Sequence, residues 1–354
     1  MKILVFLIAA LVASGLSPLA RALALRLGAE DRPGPSRKIH DRSMPRLGGL
    51  ALGAAAGLAV VFAAWIGTPG GDLIREFPQP VLRLALAGLV VALLGIVDDI
   101  HNLGPWTKLA GEVMAGALAY WAGFRIEAFD LGLGQVHLGP LALPVSLLWF
   151  VTMMNALNLI DGLDGLAASQ ALIALGALLI HSLLHRGAVA GTLSVALAGA
   201  TVGFLVHNFH PARQFLGSCG ALPLGLLLAA LAVGTVQGRA GLNPVLPLLA
   251  IGVPLLDIVL AVVRRLRQGR SPFSADRGHL HHRLLDAGYG QTRAVIRLAA
   301  LGGVFAALGL ASEMVPGPWR LAPLLPAAVL AALVARRLGS IRPEAPRGPA
   351  GGSS

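Results

Sequence analysis

Charge is what this sequence has least of. Asp, Glu, Lys and Arg make up 13% of its 354 residues, against roughly 25% in a soluble domain. The deficit excludes a soluble globular protein, whose surface would need charge however large its core. Lipid is the solvent for most of the chain, which is 56% hydrophobic with a mean hydropathy of +0.75. Cysteine is nearly absent too: a lone Cys219 excludes an internal disulfide and says nothing of redox compartment. Acidic residues number 17 against 28 basic ones, a net charge of +11. Such an excess can mark nucleic-acid binding, but here the basic residues are spread over loops between apolar runs. Nucleic acid is excluded on that ground, and the lipid bilayer is the first partner.

Apolar runs of about 20 residues, enough to cross a bilayer, are what is there instead. They fall near 3–25, 47–67, 80–97, 106–123, 142–160, 165–184, 188–207, 221–236, 242–263, 294–314 and 320–336, predicting an all-α integral membrane protein of about eleven spans. The first run outlasts a signal-peptide core, and Arg21 and Arg26 follow it without a small-residue cleavage site, so it reads as a retained span. One set of loops carries most of the basic residues, including Arg37, Lys38, Arg42, Arg46, Lys108, Arg213, Arg264, Arg265, Arg267, Arg277, Arg283 and Arg336. The positive-inside rule puts that set in the cytoplasm, the N-terminus outside and the C-terminus inside. Residues 1–338 read as one polytopic domain and 339–354 as a disordered polar tail. The stretch Arg125–Pro140 alternates loosely and predicts a small outer hairpin.

The polar residues collect in the cytoplasmic loops. Asp98 and Asp99 close the third span. A solvated helix end is the plain reading, but adjacent carboxylates repel unless a cation lies between them, which favours a divalent metal or a proton-abstracting role. Mg2+ takes one or two carboxylates plus phosphate oxygens. Asn155 and Asn158 share a helix face. Gly162 and Gly165 then free the backbone, so that Asp161 and Asp164 can face a cavity. His279, His281 and His282 lack the partners of a tetrahedral zinc site; beside Arg277 and Arg283 they read as phosphate ligands. Arg37, Lys38 and His40 precede Gly48–Gly49, which opens a helix and suits close backbone approach. Carboxylates for a metal and cations for phosphates, side by side at a membrane face, fit phosphoryl transfer from a soluble nucleotide to a lipid. A transporter would place such groups near the bilayer midplane in repeated halves; here they lie at span ends and no repeat is seen.

Five stretches carry a resemblance: RKIHDRSMPRLGG, GIVDDIHNLGPWTKL, NALNLIDGLDGLA, GFLVHNFHPARQFLG and PLLDIVLAVVRRLRQGRSPFSADRGHLHHRLL, from about residue 31 to 285. In content and order they resemble the polyprenyl-phosphate N-acetylhexosamine-1-phosphate transferases, the MraY/WecA/TagO family, and within it the UDP-N-acetylglucosamine-using branch. The resemblance implies transfer of a sugar-1-phosphate from a UDP-N-acetylhexosamine to undecaprenyl phosphate at a bacterial inner membrane, releasing UMP and starting a cell-envelope glycan. It implies Mg2+ as cofactor, with Mn2+ a substitute, and admits a homodimer. Carried onto this chain, Asp98, Asp99, Asp161 and Asp164 would be catalytic. Lys38, His40, Asn155, Asn158, Asn208, Phe215, His279, His281, His282 and Arg283 would hold substrate; Asp98, Asp99, Asn158 and the residue at 218 would hold the metal. Two positions depart from the family. A third acidic position after Asp98–Asp99 is Asn102, and the expected metal-binding aspartate is Ser218. A neutral hydroxyl is a poorer ligand for a hard dication, so the alternative is a weakened or silent member that binds lipid phosphate or UDP-sugar without turnover.

Overall fold

The computed structural model describes residues 1–31, 43–234, 242–271 and 278–339. Its helices are α1 (Lys2–Leu27), α2 (Gly48–Trp65), α3 (Pro69–Glu76), α4 (Gln79–His101), α5 (Pro105–Trp121), α6 (Ala142–Ile160), α7 (Leu166–Leu184) and α8 (Ala188–Asn208). They continue with α9 (Ser218–Gly234), α10 (Val245–Ala250), α11 (Gly252–Arg267), α12 (Leu280–Asp286), α13 (Gln291–Met314) and α14 (Leu324–Arg337). The protein is an all-α membrane protein: among the described residues eight helices are long and apolar enough to span a bilayer. Two strand pairs are the only sheet there. β1 (Glu30–Asp31) meets β2 (Met44–Pro45), and β3 (Ala128–Asp130) meets β4 (Gln135–His137), both antiparallel. The second pair is the hairpin expected between Arg125 and Pro140.

Three expected spans take shorter forms. α5 and α9 have 17 residues each, near 26 Å at about 1.5 Å per residue. The run at 242–263, read as one span, is a correction: it is two helices broken at Ile251. Pro254 supplies the reason, since its ring would strike the carbonyl of Ala250 in a continuous helix. α3, with eight residues, is too short to span a bilayer, and its start is written in the chain: Thr68 caps it, accepting from Gly71 N at 2.9 Å, and Pro69 follows at its first position.

α8 is the axis of the bundle, the most buried of the long helices, and packs on α1, α2 and α7. Its small residues allow this. A Cβ on Gly199 or Gly203 would lie 2.3 Å from Phe6 O or 2.1 Å from Ala10 O, so α1 and α8 touch backbone to backbone. This small-xxx-small spacing is how helices associate where lipid removes the hydrophobic drive. α4, α6 and α9 form a second group of close neighbours, and their ends on one side meet at the polar loops.

Candidate functional site

Adjacent residues on a helix point about 100° apart, so Asp98 and Asp99 serve different partners. Asp98 Oδ2 accepts from Lys108 Nζ at 2.9 Å and from Ser218 Oγ at 2.6 Å, while its Oδ1 accepts from Leu103 N at 3.1 Å. Ser218 Oγ also lies 3.1 Å from Asn158 Oδ1 and 3.4 Å from Lys108 Nζ. Asp99 is buried beneath the start of α9, where Oδ1 accepts from Ser218 N and Oδ2 from Cys219 N, each at 3.0 Å. It thus supplies, from another helix, the cap that α9's first N–H groups need, with its charge at the positive end of the helix dipole. Asn102, the departure at the third acidic position, closes α4 at φ 50°, a left-handed conformation that Asn tolerates.

Gly217 turns the chain into α9 at φ 72°, and a Cβ there would stand 2.0 Å from Arg46 O. Its N–H donates to Asp161 Oδ2 at 3.2 Å. Removal from water, and then the charge of Asp99, push the Asp161 carboxyl up to about 7. Asp161 therefore joins the group formed by Asp98, Asp99, Asn158 and Ser218. Asp164 is buried, and its Oδ2 meets His210 Nδ1 at 2.8 Å and Ala212 N at 3.0 Å, while its charge adds to the upward push on Asp161. Asn208 is also buried, accepting from Gly165 N at 3.1 Å and donating to Gln214 O at 2.9 Å. These two side chains tie the loop after α6 to the loop before α9. Phe215 sets the same loop against α2: its O accepts from Gly48 N at 3.1 Å and its N donates to Pro45 O at 2.8 Å. The close backbone approach expected of Gly48–Gly49 is thus made to the protein's own chain.

The histidines arrive from the other side. Asp257 on α11 accepts from Leu280 N at 2.7 Å and meets His279 Nδ1 at 2.9 Å, which leaves His279 Nε2 turned the other way. His279 and His281 stack 5.7 Å apart, and His282 lies 4.2 Å from His281. His281 packs on Gly162, where a Cβ would meet its Nε2 at 2.7 Å, so the histidine loop closes on the Asp161–Asp164 loop. Burial, and then the neighbouring His282, drop His281 to about 3, leaving it neutral. Arg283 follows on α12. Lys38 and His40 lie outside the described residues, as do Arg37 and Arg277.

Ser218 Oγ stands 2.6 Å from an oxygen of Asp98 and 3.1 Å from that of Asn158. Donor oxygens on an octahedral Mg2+ at 2.0–2.1 Å are roughly 2.9 Å apart, so this hard-donor set fits the ion. A sequence profile described as Glycosyl transferase family 4 matches residues 81–236, which hold every one of these oxygens. A decaprenyl-phosphate N-acetylglucosaminephosphotransferase of Mycolicibacterium smegmatis is 36% identical over 98% of this chain and 90% of its own. The chain belongs to the polyprenyl-phosphate N-acetylhexosamine-1-phosphate transferase family. This transferase is also similar to a probable undecaprenyl-phosphate N-acetylglucosaminyl 1-phosphate transferase of Bacillus subtilis, 32% identical over 86% of this chain and 82% of the relative. For an undecaprenyl-phosphate alpha-N-acetylglucosaminyl 1-phosphate transferase of Yersinia pestis the figures are 30%, 83% and 80%.

Three further residues belong to this candidate site. Lys108, in sequence one more cytoplasmic charge, is the cation on Asp98. Glu112, one turn further along α5 and 1% exposed, accepts from Asn155 Nδ2. Asp257 orients His279. The signal was available for the first two: a Lys and a Glu four apart in an otherwise apolar helix share a face and mark a functional position.

Proposed function

We infer that this protein transfers N-acetylglucosamine-1-phosphate from UDP-N-acetylglucosamine to undecaprenyl phosphate, releasing UMP. The observation that carries this reading is the meeting of Asp98, Asn158 and Ser218 with Lys108 at the ends of apolar helices, in a chain 36% identical to a polyprenyl-phosphate transferase. In the reaction an oxygen of the lipid phosphate attacks the β-phosphorus of the UDP-sugar. The bond from that phosphorus to the bridging oxygen breaks, and UMP leaves with the bridging oxygen. Such chemistry is mostly positioning and charge neutralisation.

The chain's own residues divide that work. Lys108 and Arg46 offset the carboxylates, and Asp161 and Asp98 are the residues assigned to the lipid phosphate. The His279–Arg283 segment offers donors to phosphates, the role that the sequence also assigns to Lys38 and His40. Mg2+ held by Asp98, Asn158 and Ser218 would supply charge neutralisation between the phosphates. Ser218 keeps an oxygen where the family has a carboxylate, and it lies at ligand spacing from Asp98 and Asn158; this favours turnover over the binding-only alternative. Asp99 serves α9 in this reading, and Asp164 and Asn208 hold the loops in place.

The basic-residue asymmetry supports eleven spans, counting α5, α9 and the α10–α11 pair, with the N-terminus outside and the site at the cytoplasmic face of a bacterial inner membrane. The test is UMP release by detergent-purified protein. Release that needs both lipid phosphate and Mg2+ is expected, whereas lipid-independent release or none at all would refute the reading.

A further inference from the structure

At the far end of α7 from Asp161 lies a second polar cluster that the transferase reaction does not use. His181 of α7 and His185, which closes that helix, are four residues apart with ring centroids 4.3 Å apart. Leu166, at the start of α7, is beside the Asp161–Asp164 loop, and 15 residues of helix at about 1.5 Å each put His181 roughly 22 Å away. Between the two rings comes Glu313 of α13. Its Oε2 is 3.2 Å from His185 Nε2 and 3.5 Å from His181 Nδ1, and the three donor atoms lie within 4.8 Å of one another. All three side chains are largely buried, at 8%, 18% and 11% exposed.

The carboxylate is also aimed. Asn243 Nδ2 donates to Glu313 Oε1 at 2.8 Å and to Ser312 Oγ at 3.1 Å, and Ser312 in turn donates to Gly309 O at 2.6 Å. The amide holds one oxygen and turns the other to the histidines. Outer partners of this kind fix the ligands of metal sites. Two of the three spacings, 3.2 and 3.5 Å, match the roughly 3.3–3.6 Å between donors on a tetrahedral zinc ion at bond lengths of about 2.0–2.2 Å.

We propose that His181, His185 and Glu313 form a binding site for a divalent transition-metal ion of the zinc class, which straps α7 to α13 at the end of the bundle opposite the transferase site. Two imidazoles and a carboxylate suit Zn2+ and its neighbours in the Irving–Williams series; the all-oxygen group at Asp98 suits Mg2+. Three protein ligands leave a fourth position for water. The ion offsets the charge of Glu313 in a buried setting, and it joins α7, α13 and the segment at Asn243.

The test uses full-length protein purified in detergent through a histidine-free tag, stripped with EDTA and titrated with Zn2+ alone. Calorimetry should find an equivalent of Zn2+ whose affinity falls at least tenfold in both His185→Gln and Glu313→Gln. Asp98→Asn, in the transferase site, should leave that affinity within twofold. Zn2+ should raise the melting temperature of the wild type and not of the two variants, and Co2+ should give the wild type an intense visible spectrum that EDTA abolishes. Zn2+ binding unchanged in both variants would overturn the site. So would a wild-type protein with neither a Zn2+-dependent melting shift nor a Co2+ spectrum, a result that stands even if the variants fail to fold and that leaves a plain histidine–carboxylate ion pair.

Discussion

The Ser218 hydroxyl donates to Asp98 Oδ2 at 2.6 Å, standing where the family's expected metal-binding aspartate would be. A neutral oxygen keeps the ligand spacing and gives up a charge. Ser218→Asp should therefore lower the Mg2+ concentration for half-maximal activity about tenfold, equivalent to about 1.4 kcal/mol. Without Mg2+ it should lower the melting temperature, because two carboxylates then meet unshielded. Activity measured across a Mg2+ series checks both; an unmoved half-saturation point would take Ser218 out of the ligand set.

Lys108 shares that Asp98 oxygen with Ser218, at 2.9 Å, and both its side chain and that of Asp98 are mostly buried. Lys108→Met removes the cation and leaves Asp98 with only the neutral donors of Ser218 and Leu103. A fall of at least about 100-fold in rate, near 2.7 kcal/mol, is expected from losing such a group beside a charged transition state. The rate should be read with a melting curve, since a structural role alone would lower stability and leave the rate per folded molecule unchanged.

Asn208 makes two buried hydrogen bonds that join the loops before α7 and α9. Asn208→Ala strands the Gly165 N–H and the Gln214 carbonyl, at a cost of about 2–3 kcal/mol. The expected outcome is a lower melting temperature, with half-saturation for UDP-sugar changed far less than by a variant of Asp98.

His281 is neutral because burial brings it down to about 3, below its ordinary 6.5. Between those values the unfolded chain binds the proton more readily than the folded one, so stability is full above about 6.5 and falls as pH drops toward 3. At pH 5 the loss reaches about 2 kcal/mol at most. His281→Gln should flatten the decline in melting temperature between pH 7 and pH 5. An equally steep decline in the variant would show that other groups cause it.

The helices were legible because lipid burial demands long apolar runs, and the hairpin at β3–β4 because its residues alternate. The meeting of Asp98, Asn158 and Ser218 was legible only through the motifs, since they sit on α4, α6 and α9. Asp99, Asp164 and Asn208 share those motifs, and no sequence pattern separates them from their neighbours. What sets them apart is the set of backbone N–H and C=O groups that packing brings against them, such as the first turn of α9 over Asp99. Hydropathy also averaged across the break at Ile251, although Pro254 was there to mark it. The pairing of His181 and His185 with Glu313 joins residues 128 or more apart in sequence, within helices that otherwise read as plain spans.

Transfer of the sugar together with its phosphate is tested most directly with UDP-N-acetylglucosamine labelled at the β-phosphate. Purified protein with undecaprenyl phosphate and Mg2+ should move the label into the organic-extractable lipid and release unlabelled UMP, with Asp98→Asn at least about 100-fold slower. Label that stays in water as UDP, with or without sugar on the lipid, would contradict it.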